Sequence, residues 1–190
     1  MPGAVSRLEE LTRKVDGFFA RVVVRHGTDM QCATGCSDCC HVRLTLTAVE
    51  TAAIRAHVTT WSDEQRRGLA DTGPTDRCAA LDPAGRCKIY GARPLVCRSH
   101  GVPIRLSRGS LPVVEACHRN FTHTAPDPDC VLDQATLSAT LFAVDAAEAL
   151  GDALGDALGE APGEALGEAP GRALPARVEL AGLLADLATF

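Results

Sequence analysis

Nine cysteines dominate the chemistry that this 190-residue sequence can perform, and all of them lie between Cys32 and Cys130. Thiolates are the ligands that soft metal ions prefer, and a bound ion in turn lowers the pKa of the thiols that hold it. We predict eight metal ligands: Cys32, Cys36, Cys39, Cys40, Cys78, Cys87, Cys97 and Cys117. Eight thiolates would satisfy two tetrahedral sites or two clusters. Cys130 is the cysteine that we expect not to bind metal.

The first four cysteines fall within nine residues, in Cys32-Ala-Thr-Gly-Cys36-Ser-Asp-Cys39-Cys40. The small and polar residues between them allow tight turns, and Gly35 suits a position with positive φ. Because adjacent side chains point in different directions, one tetrahedral ion cannot easily take both Cys39 and Cys40. The sequence therefore predicts two neighbouring metal positions, or one cysteine of the four that is not a ligand.

Three histidines are close enough in sequence to these cysteines to serve as alternative ligands. They are His41, His100 and His118, each within three residues of a cysteine. Zinc sites in proteins use imidazole as well as thiolate. Surface or hydrogen-bonding roles are the more common use of such histidines, and the spacing leaves both interpretations open.

The composition excludes several other classes of function. A net charge of −5 argues against the basic surface that nucleic-acid binding requires. No stretch approaches the ~18 uninterrupted apolar residues of a membrane span, and the first residues lack the apolar core of an export signal. We therefore expect a cytoplasmic protein with no nucleic-acid or membrane partner. Its reducing surroundings would favour metal-bound cysteines over disulfides.

Elements of regular structure must position these ligands, and the apolar spacing predicts four helices in the first 148 residues. They span about 5–24, 48–58, 63–69 and 134–148. Thr47, Ser62 and Asp133 are the predicted N-caps of the last three. The predicted fold class is mainly α with a small β-hairpin, in a small cysteine-rich, metal-centred domain of residues 1–148.

The hairpin is predicted between Cys78 and Tyr90. Its centre, Asp82-Pro83-Ala84-Gly85, has Pro at the second turn position and Gly at the fourth, as a type I turn prefers. Short arms on either side would each carry one cysteine and present both to one site.

A tandem repeat follows the cysteine region. Residues 149–172 read ALGD ALGD ALGE APGE ALGE APGR, with a glycine in every unit. Each glycine costs a helix ~1 kcal/mol and an interior proline ~3 kcal/mol, so we predict a low-complexity acidic linker over 149–175. Leucines at helical spacing then predict a C-terminal helix within 176–190 that docks on the domain.

One part of the sequence is similar to a known family. Cys36-x-x-Cys39-Cys40, followed by Cys87-Lys-Ile-Tyr90-Gly-Ala-Arg93-Pro94-Leu-Val-Cys97-Arg98, resembles the cysteine-cluster (CxxCxxCC, YkgJ-like) family of zinc- or iron-chelating proteins. The resemblance covers about residues 30–120. The CxxCxxCC pattern of the family has two residues between its first two cysteines, whereas three residues separate Cys32 from Cys36.

The resemblance implies cysteine-bound zinc or iron, with iron present as an ion or as an iron–sulfur cluster. Relatives with a similar cluster are named as flagellin lysine methylases. An iron–sulfur-dependent enzyme that performs methyl transfer or redox chemistry is therefore the alternative function. Thiol chemistry at the vicinal cysteines is a third hypothesis.

Two arginines of the resembling segment have a physical interpretation as well. Arg93 and Arg98 would offset the −2 charge of a zinc ion held by four thiolates, a sum that follows from the charges of the ion and its ligands. An ordinary structural ion pair is the competing interpretation for Arg93. Pro94, at the start of a predicted helical turn, would fix the approach of Cys97.

Overall fold

A computed structural model describes residues 6–33, 35–159 and 177–189 of the chain. The described part is mainly α, with two small sheets. Its helices are α1 (Arg7–His26), α2 (Ala48–Thr59), α3 (Asp63–Arg67), α4 (Leu95–Ser99), α5 (Gln134–Gly159) and α6 (Leu180–Leu187). Its strands are β1 (Thr45–Leu46), β2 (Ile104–Arg108), β3 (Leu111–Glu115), β4 (Leu132–Asp133) and β5 (Val178–Glu179). Among these helices, none has the length and apolar character needed to cross a membrane.

Capping boxes begin three of the helices. The side chains of Ser6, Thr47 and Ser62 each accept a hydrogen bond from a backbone N–H three residues later. The side chain at that later position bonds back to the cap, which satisfies two of the donors that a helix start leaves free. α1 and α2 agree with the predicted helices to within two residues. α3 ends earlier than predicted, because Gly68 closes it as its C-cap.

The main core lies between α2 and α6. α6 contributes four leucines that are each at most 5% exposed: Leu180, Leu183, Leu184 and Leu187. These are the leucines whose spacing predicted a C-terminal helix, and they pack with Leu46 and Ile54. β5, directly before α6, pairs antiparallel with β1. The C-terminal segment is therefore part of the core of the protein.

α1 lies against α4 and α5 on the other side of the molecule. Two apolar clusters cover its buried face, one of Val22, Met30, Val102 and Cys130 and the other of Val15, Leu95 and Leu137. An ion pair joins α1 to α4, in which Arg98 Nη1 donates to Asp16 Oδ2 at 2.7 Å. These contacts fix α4, the helix that carries Cys97, against α1.

A very short hairpin forms at the predicted place, and a longer one lies elsewhere. At the predicted place Gly85 N–H donates to the Asp82 carbonyl at 3.0 Å, and the arms are joined by one antiparallel bridge, between Leu81 and Cys87. The first arm then leaves the second, since Cys78 N–H donates to the Cys40 carbonyl. The regular hairpin is β2–β3, and β4 pairs parallel to β2. Its Gly109-Ser110 turn is a known hairpin signal that the sequence analysis did not use.

α5 is longer than predicted. Asp133 Oδ1 caps it as expected by accepting from Thr136 N–H at 2.8 Å, but the helix continues to Gly159, into the repeat. Once a helix has begun, each added residue requires no new nucleation, and the alanines and leucines of the first units are good helix formers. Pro162 and Pro170 lie beyond this point. The rest of the predicted linker, over 160–175, lies outside the described residues.

Candidate metal centre

The eight cysteines predicted as ligands fall into two groups of four, and all nine cysteines are free thiols. The grouping follows from the charges that act on Cys32 and on Cys40: three thiols raise the pKa of Cys32, and three different thiols act to raise that of Cys40. Group one is Cys32, Cys36, Cys39 and Cys117. Group two is Cys40, Cys78, Cys87 and Cys97. Each group joins residues that are distant in sequence, so the fold brings its members together.

Asn120 holds Cys32 in group one. This side chain is 4% exposed, and its Nδ2 donates to the Gly101 carbonyl at 2.7 Å and to Cys32 Sγ at 3.3 Å. Its Oδ1 accepts from Gln31 N–H at 2.8 Å. Asn120 N–H also donates to the Cys117 carbonyl at 2.8 Å. The buried Asn120 thus links the segment that ends at Cys32 to the turn that carries Cys117.

The electrostatics of Cys32 reflect these contacts. Burial raises the pKa of the Cys32 thiol, and the hydrogen bond from Asn120 opposes that shift. The charges of the three other thiols of group one raise the pKa further. A cation bound among these thiols would reverse that repulsion, since a nearby positive charge favours the thiolate form.

The Cys32 sulfur lies where a side chain at position 101 would be, and Gly101 leaves that space free. Its φ of +101° is a conformation that other residues rarely adopt, and a Cβ at this position would lie 2.6 Å from Cys32 Sγ. Both the backbone conformation and the close approach of the sulfur therefore require glycine here.

Charged residues surround group one at the surface. Arg119 Nε donates to Asp38 Oδ2 at 2.6 Å, and His118 Nε2 lies 3.4 Å from the same oxygen. Contact with Asp38 raises the pKa of Arg119, and the charges of Cys36 and Cys117 act in the same direction. An exposed guanidinium therefore lies beside the thiols of group one.

Group two is assembled by the turn after Cys78 and by α4. Cys78 N–H donates to the Cys40 carbonyl at 2.7 Å, which holds these two cysteines near each other. The bridge between Leu81 and Cys87 brings the chain after the turn, and Cys87 with it, back alongside the chain that follows Cys78. Cys97 comes from α4, which starts directly after its N-cap Pro94. As the sequence predicts, the two arms bring Cys78 and Cys87 close enough for their charges to interact.

Group two is also the more deeply buried of the two. Cys78 is 8% exposed, and Cys40 and Cys87 pack against the main core. Burial raises the pKa of Cys97 to about 12, with the charges of Cys78 and Cys87 adding to the shift. Burial likewise raises the pKa of Cys87, whereas the charge of Arg93 lowers it. These thiols are thus held in surroundings that disfavour free thiolates.

Cys39 and Cys40 stand where the two groups meet. Their Sγ atoms are 4.0 Å apart, and this contact lowers the pKa of Cys40 and raises that of Cys39. The charge of Cys39 acts on Cys32 in group one and on Cys97 in group two. The short helical turn Asp38–Cys40 therefore connects the two groups through neighbouring residues.

The two arginines of the motif have different surroundings. Arg98 is 12% exposed and pairs with Asp16, while its other donors bond the carbonyls of Arg93 and Gly91. Arg93 lies 4.0 Å over the ring of Tyr90 and acts on the pKa of Cys87. Arg98 thus makes a structural ion pair. Arg93 does both things that the sequence analysis considered: its Nη2 lies 4.0 Å from Asp16 Oδ1, and its charge reaches the Cys87 thiol.

The alternative ligands lie at the surface. His41, His100 and His118 are exposed, and His118 faces Asp38. Within the described residues, one group of three or more potential ligands has all its ligand atoms within 4.8 Å of one another, and it consists of His26, Asp127 and Cys130. By the same measure, no three of the eight predicted cysteine ligands, all of which are described, lie that close together.

The donor set of both groups nevertheless fits zinc or iron. Four sulfur ligands are available in each group, none is consumed by a disulfide, and both metals accept four thiolates. The thiols of each group face one another closely enough to interact, and a metal is the charge that would relieve their repulsion.

Residues 31–127 match a family model described as "Putative zinc- or iron-chelating domain". The matched range covers half of the chain and contains all the cysteines of groups one and two, but neither His26 nor Cys130. Among curated proteins and solved structures, nothing matches this chain.

Proposed function

The chain belongs to the CxxCxxCC family, and from this premise we propose that it binds zinc or iron at two four-thiolate sites. Group one would hold one site and group two the other. The observation that supports the proposal is that all eight thiols are free, and that Cys32 and Cys40 are each acted on by the charges of three others, in sets that share no member. Chelation of metal by the protein itself is the function that this arrangement supports best.

Arginines near the thiols support the proposal through charge. A zinc ion with four thiolates carries a net charge of −2, as the charges of ion and ligands add. Arg119 acts electrostatically with Cys36 and Cys117 of group one, and Arg93 with Cys87 of group two. Each site would therefore have one guanidinium nearby to stabilise its negative charge.

Metal binding would also connect distant segments of the chain. In group two it would link Cys40, the turn around residue 82 and α4. In group one it would link the segment of residues 32–39 to Cys117, next to the buried Asn120. Because the thiols are not yet within one coordination sphere, binding would draw them together, and its free energy would add to that of folding. An iron–sulfur cluster would supply electron transfer in addition.

The thiol chemistry also favours a reducing compartment, and we propose the cytoplasm. All nine cysteines are free, and the Sγ atoms of Cys39 and Cys40 lie only 4.0 Å apart. Clustered thiols of this kind are kept reduced by cytoplasmic redox systems.

Elemental analysis and the visible absorption spectrum of protein purified without air test the proposal. We expect at least two equivalents of zinc or iron per chain. A colourless zinc protein would identify a chelating or structural role. Iron with acid-labile sulfide would identify iron–sulfur clusters and favour the alternative, an enzyme for methyl transfer or redox chemistry. A protein that binds neither metal, when both are supplied under reducing conditions, would contradict the proposal.

A further inference from the structure

A second set of metal-binding side chains lies away from the two thiol groups, where α1 ends. His26 is the last residue of α1, Asp127 is the N-cap of the short helical turn Pro128–Cys130, and Cys130 is the last residue of that turn. One ligand atom from each of these three side chains lies within 4.8 Å of the other two. Cys130 is 2% exposed and the side chain of His26 12% exposed. The side chain of Asp127 is 51% exposed and leaves the set open to solvent.

The two nearest ligand atoms both carry lone pairs. His26 Nε2 accepts a long hydrogen bond from the Asp127 backbone N–H at 3.4 Å, so Nε2 bears the lone pair and Nδ1 bears the proton. Asp127 Oδ2 lies 3.5 Å from the same Nε2. Because Nε2 has a single lone pair, a metal ion bound there would take the place of this long hydrogen bond. Ligands about 2.1 Å from a tetrahedral zinc ion are about 3.4 Å apart, which this pair already satisfies.

The groups around His26 support a cation at this place. On the other side of the ring, Nδ1 lies 3.7 Å from Asp29 Oδ2, in the position from which a carboxylate commonly orients a metal-binding imidazole. Asp127 and Asp129 add two more carboxylates, and Arg25 is the guanidinium that pairs with both. Three carboxylates and a thiol thus face one arginine, and a divalent cation would balance the excess negative charge.

Arg25 lies beside this set. Its ion pair with Asp129 and its contact with Cys130 raise the pKa of the guanidinium, which stays positive next to the buried sulfur.

We propose that His26, Asp127 and Cys130 form a third metal site, for a single divalent cation of the zinc class. The nitrogen, oxygen and sulfur donors together suit zinc better than calcium or magnesium, which prefer oxygen alone. Three protein ligands leave a fourth position for water or an exchangeable ligand, as in zinc sites that are not purely structural. The site would also attach the end of α1 to the turn that precedes β4.

Counting bound metals by native mass spectrometry tests the site in the full-length chain, loaded with Zn²⁺ under reducing conditions. We expect Asp127→Asn, His26→Gln and Cys130→Ser each to bind one Zn²⁺ fewer than the wild type. Asp129→Asn, a neighbouring carboxylate outside the set, and His123→Gln, an exposed histidine, are the matched controls and should bind the full number. Asp127 is half exposed, so the Asp127→Asn variant keeps the fold in which the count is meaningful.

Cobalt provides an independent signal. We expect Co²⁺ to give a thiolate-to-metal absorption that Cys130→Ser removes, while the absorption from groups one and two persists.

Asp29→Asn, which alters a positioning residue, should weaken Zn²⁺ binding at this site ~10–100-fold. An equal metal count in the wild type, Asp127→Asn and His26→Gln would overturn the proposal, leaving His26 as a protonated bridge between two carboxylates. That result would not affect the two thiol sites, whose count is measured separately in their own cysteine variants.

Discussion

The two thiol groups differ most in what surrounds them. Group two rests on the main core, where burial raises the pKa of Cys97 to about 12. Group one lies near the surface, with Cys32 and Cys39 exposed and with Asp38, Arg119 and Asn120 around it. Buried thiols exchange a metal only when the core opens, whereas exposed thiols can be reached by another ligand. We infer that group two serves stability and that group one is the site from which metal can be passed on.

The largest expected effect is on folding. Cys78→Ser in group two should remove a metal next to the core and destabilise the metal-loaded protein by about 4 kcal/mol or more, the range reached when a bound metal is lost. For a chain of this length that corresponds to a fall in Tm of about 10 °C. Thermal unfolding followed by far-UV circular dichroism would measure it.

The equivalent change in group one sharpens the comparison. Cys36→Ser should lower Tm clearly less than Cys78→Ser, because the surface around Cys36 contributes less apolar burial. Equal losses of Tm in the two variants would show that the groups do not differ in their contribution to folding.

Alkylation of the metal-free protein should also separate the groups. A pKa of about 12 keeps Cys97 as an uncharged thiol at neutral pH, and the thiolate is the reactive form. Relative to an unperturbed cysteine of pKa about 8.5, we expect alkylation at pH 7 to be slower by about 10³-fold or more. The rate should rise about tenfold per pH unit up to that pKa, as the thiolate fraction does. Mass spectrometry of the labelled peptides would follow it, and labelling of Cys97 before Cys36 would contradict the assigned burial.

A backbone change beside group one should have a smaller effect. Gly101→Ala places a methyl group 2.6 Å from Cys32 Sγ at a φ of +101°, and we expect a loss of about 1–3 kcal/mol from the strained conformation. Metal should be lost from group one and retained in group two. Gly109→Ala is the matched control, since it shares a positive φ but has no atom within 4 Å of the added Cβ. Loss of metal in both variants, or in neither, would remove the role assigned to this close approach.

The smallest effect is expected at the surface of group one. Arg119→Ala breaks an exposed ion pair with Asp38, and such pairs contribute little to stability. We expect no resolvable change in Tm and an unchanged metal count, with faster metal transfer to a chelator because the guanidinium no longer stabilises the thiolates. An unchanged transfer rate would show that this charge does not act on the metal.

The helices and the core were largely predictable from the sequence. Capping boxes at Thr47 and Ser62 and the leucines of α6 act through local hydrogen bonds and helical spacing, which a sequence displays directly. The β1–β5 pair was not predictable, because two-residue strands carry no periodicity. The extension of α5 to Gly159 was missed. The prediction counted the free-energy cost of each glycine in a helix, but it did not consider that a helix already formed before the repeat can be extended without a new nucleation step.

The candidate site was predictable in its residue types and less so in its arrangement. Adjacent Cys39 and Cys40 predicted either two metal positions or one cysteine that is not a ligand, and the neighbours of each sulfur depend on how α4 and the turn at Asp82 pack. Asn120 gave no signal, because its contact with Cys32 spans 88 residues of sequence. The set that we propose at His26 likewise joins residues far apart in sequence, and no role with metal was predicted for Cys130.

Metal counting by native mass spectrometry in Cys36→Ser and Cys87→Ser tests the central claim most directly. Each variant removes one thiol from one group, so each should bind one metal fewer than the wild type, or one cluster fewer where iron is bound. The double variant should lose two, because the sites are separate. Loss of all thiol-bound metal in either single variant would contradict the account and show that the eight cysteines form one shared centre.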